Sequence, residues 1–160
     1  SGRVIKSGDV VLTEISAKYG GYWGQVQKPF SIGNPSERYL ELIKVNRELY
    51  GIISEALHPG NTLGNVNTVG SRYLAEHGLE RVVCFAHGIG MEAPEEPVIG
   101  KMDTWPMDAN QVIVPGNTFV VEPNPAVREK TAGMFLGDTF VVTETGSVCL
   151  NRFPAQLTIC

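Results

Sequence analysis

Residues 85–97 read FAHGIGMEAPEEP. A histidine ends an apolar run, two glycines follow, and acids and prolines come next. With "ERVVC" in front of it, at 80–84, the stretch reads as a short buried strand running into a glycine turn. Gly88 and Gly90 let the backbone turn tightly beside a pocket, and His87 is placed to face into it. A histidine in such a run also fits a plainer role, buried and bonded to backbone. What stands beside it in the fold decides between the two.

The segments around this strand set the fold class. "GDVVLTEISAKYGGYWGQVQKPFSIG" reads as two strands joined at Gly20 and Gly21, with Pro29 placing the end of the second strand, or a sheet edge, at that point. "NPSERYLELIKVNRELYGIISEALHPG" reads as a helix, capped by Asn34 or Ser36 and stopped by "HPG". Its apolar stripe is Tyr39, Ile43, Tyr50, Ile53 and Leu57, broadened by Leu42, Val45 and Leu49. "NTLGNVNTVGSRYLAEHGL" is a second helix, capped by Asn61 or Thr62 and ended by Gly78, with Gly64 and Gly70 weakening it. Residues 91–111 read as irregular, and Glu92, Glu95 and Glu96 as a solvated loop. "NTFVVEPNPAV", "GMFLGDTFVVTETG" and "SVCLNRF" read as three strands. The order is strands, helices, strands, so the expected class is α+β, with helices on one face of a mainly antiparallel sheet in one domain over 1–160.

Bulk composition narrows the function classes. The chain has 160 residues, 42% of them apolar and 19% charged, with a net charge of -4. That balance carries no basic surface for nucleic acid. No apolar run is long enough to span a membrane, and the start lacks the apolar core of a signal peptide. Cys84, Cys149 and Cys160 are an odd set without a CxxC, read as buried free thiols in a reducing, cytoplasmic setting rather than zinc ligands.

Four segments in order, "YGGYWGQVQKPFSIG", "HGIGMEAPEEP", "VPGNTFVVEP" and "GDTFVVTETG", with "HPGNT" between the helices, resemble the methionine aminopeptidase, prolidase and creatinase superfamily. The resemblance covers nearly the whole chain and implies its curved "pita-bread" fold, with the front part of that fold absent. The front would then lie on a longer chain or another subunit, or be replaced by a homodimer. Metallopeptidases of the superfamily hold two divalent ions with two Asp, one His and two Glu. Position by position, the first Asp falls on Glu14, the second on Gln25, the His on His87, the first Glu on Glu122 and the last Glu on Gly137. The family's second histidine falls on Pro94, and the prolidase arginine on Phe135.

Gln25 offers a carbonyl oxygen without charge, and Gly137 offers no side chain. Hard cations need anionic oxygen, so the expectation is no resident cofactor, the alternative being a single divalent ion on Glu14, His87 and Glu122. The resemblance then implies a metal-independent hydrolase or lyase acting on a small cationic or amino-acid-like substrate, as in the creatinase branch. His87 would move protons, and Glu14 and Glu122 would hold the cation. Tyr22, Gln25, Gly88 and Gly90 would line the substrate pocket, with Trp23 and Phe30 either joining them or serving as core aromatics. Glu92 is a weaker catalytic candidate. Asp138 reads as a structural hydrogen-bonding residue. The alternatives are a non-catalytic module that binds a peptide or protein in the old cleft, and an Xaa-Pro peptidase-like metallohydrolase. Small-molecule or peptide ligands are the expected partners, with no nucleic acid and no membrane.

Overall fold

The computed structural model describes residues 2–101, 105–129 and 131–160. Strands β1 (Val10–Tyr19) and β2 (Tyr22–Ser31) form a hairpin whose turn has positive φ at both Gly20 and Gly21, as a tight two-residue turn requires. Helices α1 (Glu37–Ala56) and α2 (Leu63–Glu76) follow. Then come β3 (Leu79–Arg81), β4 (Cys84–Gly88), β5 (Glu95–Gly100), β6 (Thr118–Val121), β7 (Pro125–Val127), β8 (Gly137–Val142), β9 (Ser147–Cys149) and β10 (Thr158–Ile159). The main sheet runs β1-β2-β8-β6-β4-β5, with β9 beside β8 and β10 parallel to β2. Every other pairing is antiparallel, and β3 and β7 make a small separate sheet.

The two helices pack into one core with the sheet. Leu49, Ile53 and Leu57 meet Leu63, Val66 and Leu74 over Phe85, Phe119, Val121 and Phe140. The side chain of Thr62 caps α2 by accepting from the Asn65 amide. Ser36 stands at the N-cap of α1 but makes no side-chain capping bond. One residue in the buried face of α1 is polar: Asn46 donates to the Met134 carbonyl at 3.1 Å, tying the helix to the chain just before β8.

Four sequence expectations need correction. The second strand does not stop at Pro29 but runs on to Ser31. The backbone of Gln25 and of Ser31 bonds toward the β8 and β10 side, so Pro29, in the same phase, points that way too. There β8 pairs only Val26 and Gln27 and β10 only Phe30 and Ser31, so the missing N–H falls in a gap. Residues 91–111 contain a strand, β5, at the sheet edge; Pro97 sits within a register shift of its pairing with β4, and edge and bulge both tolerate proline. Glu95 and Glu96 therefore belong to a strand, and Glu95 is half-buried. The expected strand "NTFVVEPNPAV" breaks after Val121. Asn124 takes a left-handed φ of 41 and β7 leaves to pair with β3, because proline on both sides of Asn124 denies a continuous ladder. Of the thiols, Cys84 alone is buried, and Cys160 is exposed.

Gly70, which weakens α2 by propensity, is required by packing. A Cβ there would lie 2.8 Å from both Ile53 Cδ1 and Phe85 Cζ, two fully buried side chains. Gly70→Ala should therefore lose about 1–3 kcal/mol to overpacking, outweighing about 1 kcal/mol of helix propensity gained. Urea denaturation of the two proteins measures the sign. A more stable alanine variant would show that α1, α2 and β4 are not in tight contact.

Candidate functional site

The site is built where β6 ends against β4 and β2. On a regular strand Cys84 and His87 would point to opposite faces. The β4–β5 pairing shifts register between Cys84 and Ala86, and this resets the phase so that both side chains face Glu122. Glu122 follows β6 directly, and its amide donates to the Phe85 carbonyl at 2.9 Å, which fixes the carboxyl over β4. From the other side β2 presents Gln25 and Gln27, two residues apart and so on one face. Glu14 sits opposite Gln27 on β1.

Both glutamine amides are used on the carboxyl groups. Gln27 Nε2 donates to Glu122 Oε2 at 2.6 Å and to Glu14 Oε2 at 2.8 Å. Gln25 Nε2 donates to Glu122 Oε2 at 3.1 Å, and Gln25 Oε1 accepts from Ser16 Oγ at 3.3 Å. On the far side of the carboxyl, Glu122 Oε1 lies 3.5 Å from Cys84 Sγ and 3.6 Å from His87 Nε2. His87 Nδ1 is 2.7 Å from the Gly88 carbonyl, so it carries the proton and leaves Nε2 as a lone pair facing Glu122. Relative exposures are 1% for Gln27, 3% for His87, 4% for Gln25 and 6% for Glu122. Glu14 is exposed and forms the open side of the cluster.

Burial governs the charges. It pushes Glu122 up to about 8, with the Glu14 carboxylate adding to the rise. It pushes His87 down against smaller opposing effects of the Gly88 carbonyl, Glu14 and Glu95. The Cys84 thiol is driven far up by burial and by Glu122, so it is an inert neighbour and not a nucleophile. At neutral pH the pair is a protonated carboxylic acid beside a neutral imidazole. A neutral Glu122 offers a cation no charge, whereas Glu14 is exposed at the edge of the cluster.

Of the residues picked from sequence, Glu14, Gln25, His87 and Glu122 come together. Tyr22 does not; it stands at the hairpin turn, 65% exposed. Gly88 and Gly90 allow close approach of β5 and do not line an open pocket. A Cβ on Gly88 would lie 2.5 Å from the Glu96 carbonyl oxygen, and one on Gly90 2.5 Å from Glu95 Oε1. A side chain at Gly137 would begin 2.8 Å from the Val121 carbonyl and 3.3 Å from Gln27 Oε1, so the glutamine occupies that quarter. Asp138 turns away and accepts from Lys28 Nζ at 2.7 Å and Tyr50 Oη at 2.9 Å. Gln27 was not singled out from the sequence, although its spacing from Gln25 on a strand was the available signal. Cys84 could not be found that way, because its direction depends on the bulge.

Residues 1–144 match metallopeptidase family M24. The probable dipeptidase PepE of Mycobacterium tuberculosis is 31% identical over 162 residues, covering 99% of this chain and 41% of the relative. The Xaa-Pro dipeptidase of Pyrococcus furiosus is 26% identical, covering 98% of this chain and 44% of its own length. The crystal structure of dipeptidase PepE from Mycobacterium ulcerans superposes with a TM-score of 0.87 at 29% identity, over 99% of this chain and 42% of that one. The chain thus spans less than half the length of these relatives, and its α+β architecture is the pita-bread fold of the aminopeptidase and prolidase superfamily. By sequence and by fold, this chain belongs to metallopeptidase family M24.

Proposed function

We propose that this domain hydrolyses a C–N bond of a small cationic or amino-acid-like substrate without a metal ion. The observation that carries the reading is the pair of amide bonds from Gln25 and Gln27 to Glu122. Two divalent ions need several anionic oxygens on open faces. Here N–H donors point at the central carboxyl, Gln27 fills the space beside Gly137, and the described residues hold no group of three or more His, Cys, Asp or Glu side chains arranged for a metal. The donor set does not fit the dinuclear centre of the family.

The remaining groups suit proton transfer. His87 Nε2 takes a proton from the attacking water as its oxygen bonds to the scissile carbon. Glu122 gives its proton to the departing nitrogen as the C–N bond breaks. The imidazolium then returns a proton to Glu122 across the 3.6 Å gap, which closes to hydrogen-bond length for the transfer. Glu14, exposed at the mouth, holds the positive group of the substrate by charge-assisted bonds. The near-complete burial of His87 and Glu122 favours a second reading, a non-catalytic module that binds its ligand at Glu14 alone.

Turnover separates the readings. EDTA-treated protein is incubated with arginine amide, lysine amide and glycylglycine, and product release is followed by NMR. Metal-free turnover that Glu122→Gln lowers about 100-fold or more supports the hydrolase. Saturable binding without turnover supports the module. Turnover that appears only on adding manganese, cobalt or zinc sinks the metal-free reading. The same ions should give no EDTA-reversible rise in melting temperature.

The raised Glu122 also makes a stability prediction. Between about pH 4.5 and about pH 8 the unfolded chain has released this proton and the folded chain keeps it. Its contribution is thus fully present at low pH and is lost as pH rises through that window. The depressed His87 acts oppositely, costing stability as pH falls below its ordinary value of 6.5. Urea titrations from pH 6.5 to 8 lie above the range in which His87 contributes and below the range in which the unfolded Cys84 thiol ionises. Stability should decline across that range by at most about 1.4 kcal/mol per unit, with the slope easing toward pH 8. Glu122→Gln, which keeps an acceptor for both amides, should flatten the decline; an unchanged slope would mean Glu122 is already ionised.

A further inference from the structure

On the other side of β4 lies a cavity of about 570 Å3, walled by α2, β3 and the segments after β5 and β7. Three cations line it from three different segments: Arg81, Lys101 and Arg128. Glu80 is the one carboxylate among the lining residues, and no described carboxylate forms an ion pair with any of the three cations. In a chain of net charge -4 this is a local reversal of sign.

Arg81 is held as a binding group is held. Its guanidinium lies over the Phe85 ring, 4.7 Å from the centroid. It also packs on Gly100, whose φ of 111 favours glycine and where a Cβ would come within 2.8 Å of Cζ. Nη1 donates to Asn67 Oδ1 at 2.9 Å, which fixes rotation about the stem. The fork is thus held by Phe85, Gly100 and Asn67, and among the described residues only one of its N–H donors is used. Burial acts against its charge, and among the described residues no carboxylate relieves the cost. A planar fork in this state is suited to a bidentate oxyanion.

The geometry points to an oxyanion site in this cavity, in which Arg81 binds a carboxylate or phosphate group bidentately and Lys101 and Arg128 supply the surrounding positive potential. The site is separate from the Glu122 cluster, and it stands or falls independently of the hydrolase reading.

Melting temperature is measured against inorganic phosphate, acetate and chloride at matched ionic strength. The expected result is a saturable rise with phosphate or acetate over chloride. Whichever saturates at the lower concentration identifies the head group. Arg81→Met keeps an apolar side chain on Phe85 and removes the fork; it should weaken the anion effect about tenfold or more without lowering the melting temperature in chloride. A merely structural Arg81 would lower it. Arg128→Gln and Lys101→Gln lie on exposed positions and should each weaken the effect, which keeps the test open if Arg81→Met does not fold. No difference between phosphate, acetate and chloride, or an effect that survives Arg81→Met and Arg128→Gln, overturns the site.

Discussion

The buried carboxyl of Glu122 constrains much of what surrounds it. A carboxyl group at the end of a core strand is costly unless its oxygens find partners. Gln25, Gln27, Cys84 and His87 surround it, from β2 on one side and β4 on the other. The backbone alone joins β2 to β8 at just two residue pairs. The amide bonds to Glu122, the Thr139 hydroxyl bonded to the Gln25 backbone, and the Lys28–Asp138 ion pair reinforce that short seam. The contacts that define the site therefore also hold the β1–β2 hairpin to the rest of the sheet.

An amide at position 25 changes the electrostatic problem and not only the ligand count. A carboxylate there would face Glu122 with a further like charge, which a cation or a retained proton would have to neutralise. A glutamine brings N–H donors in place of charge. The proton that burial places on Glu122 completes the neutralisation from within the chain. Gln27 extends the same solution to Glu14 by donating to both carboxyl groups.

Local periodicity made the hairpin, both helices and the apolar strands legible in the sequence, and the superfamily resemblance placed Glu14, Gln25, His87 and Glu122 on one site. Non-local choices were not legible. The prolines around β5 argue against a strand unless it is known to lie at an edge. Asn46 looks like an ordinary helix surface residue until the Met134 carbonyl is placed opposite it. Strand alternation could point Glu14 either way, and it is the cross-strand partner Gln27 that turns it toward Glu122. The direction of Cys84 follows from the register shift between Cys84 and Ala86, which strand alternation does not reveal.

Strand β4 divides two desolvated ionisable groups that meet the same cost in different ways. On one side Glu122 escapes its charge by keeping a proton, because a carboxyl can be neutral at physiological pH when buried. On the other side Arg81 has no such escape. A guanidinium stays protonated in proteins, and burial that works against its charge leaves the charge in place. Stacking on Phe85 and one bond to Asn67 recover part of the cost but neutralise nothing. A titratable group can thus be satisfied by the chain alone, whereas an arginine with no ion pair among the described residues is completed by an anion from outside the chain.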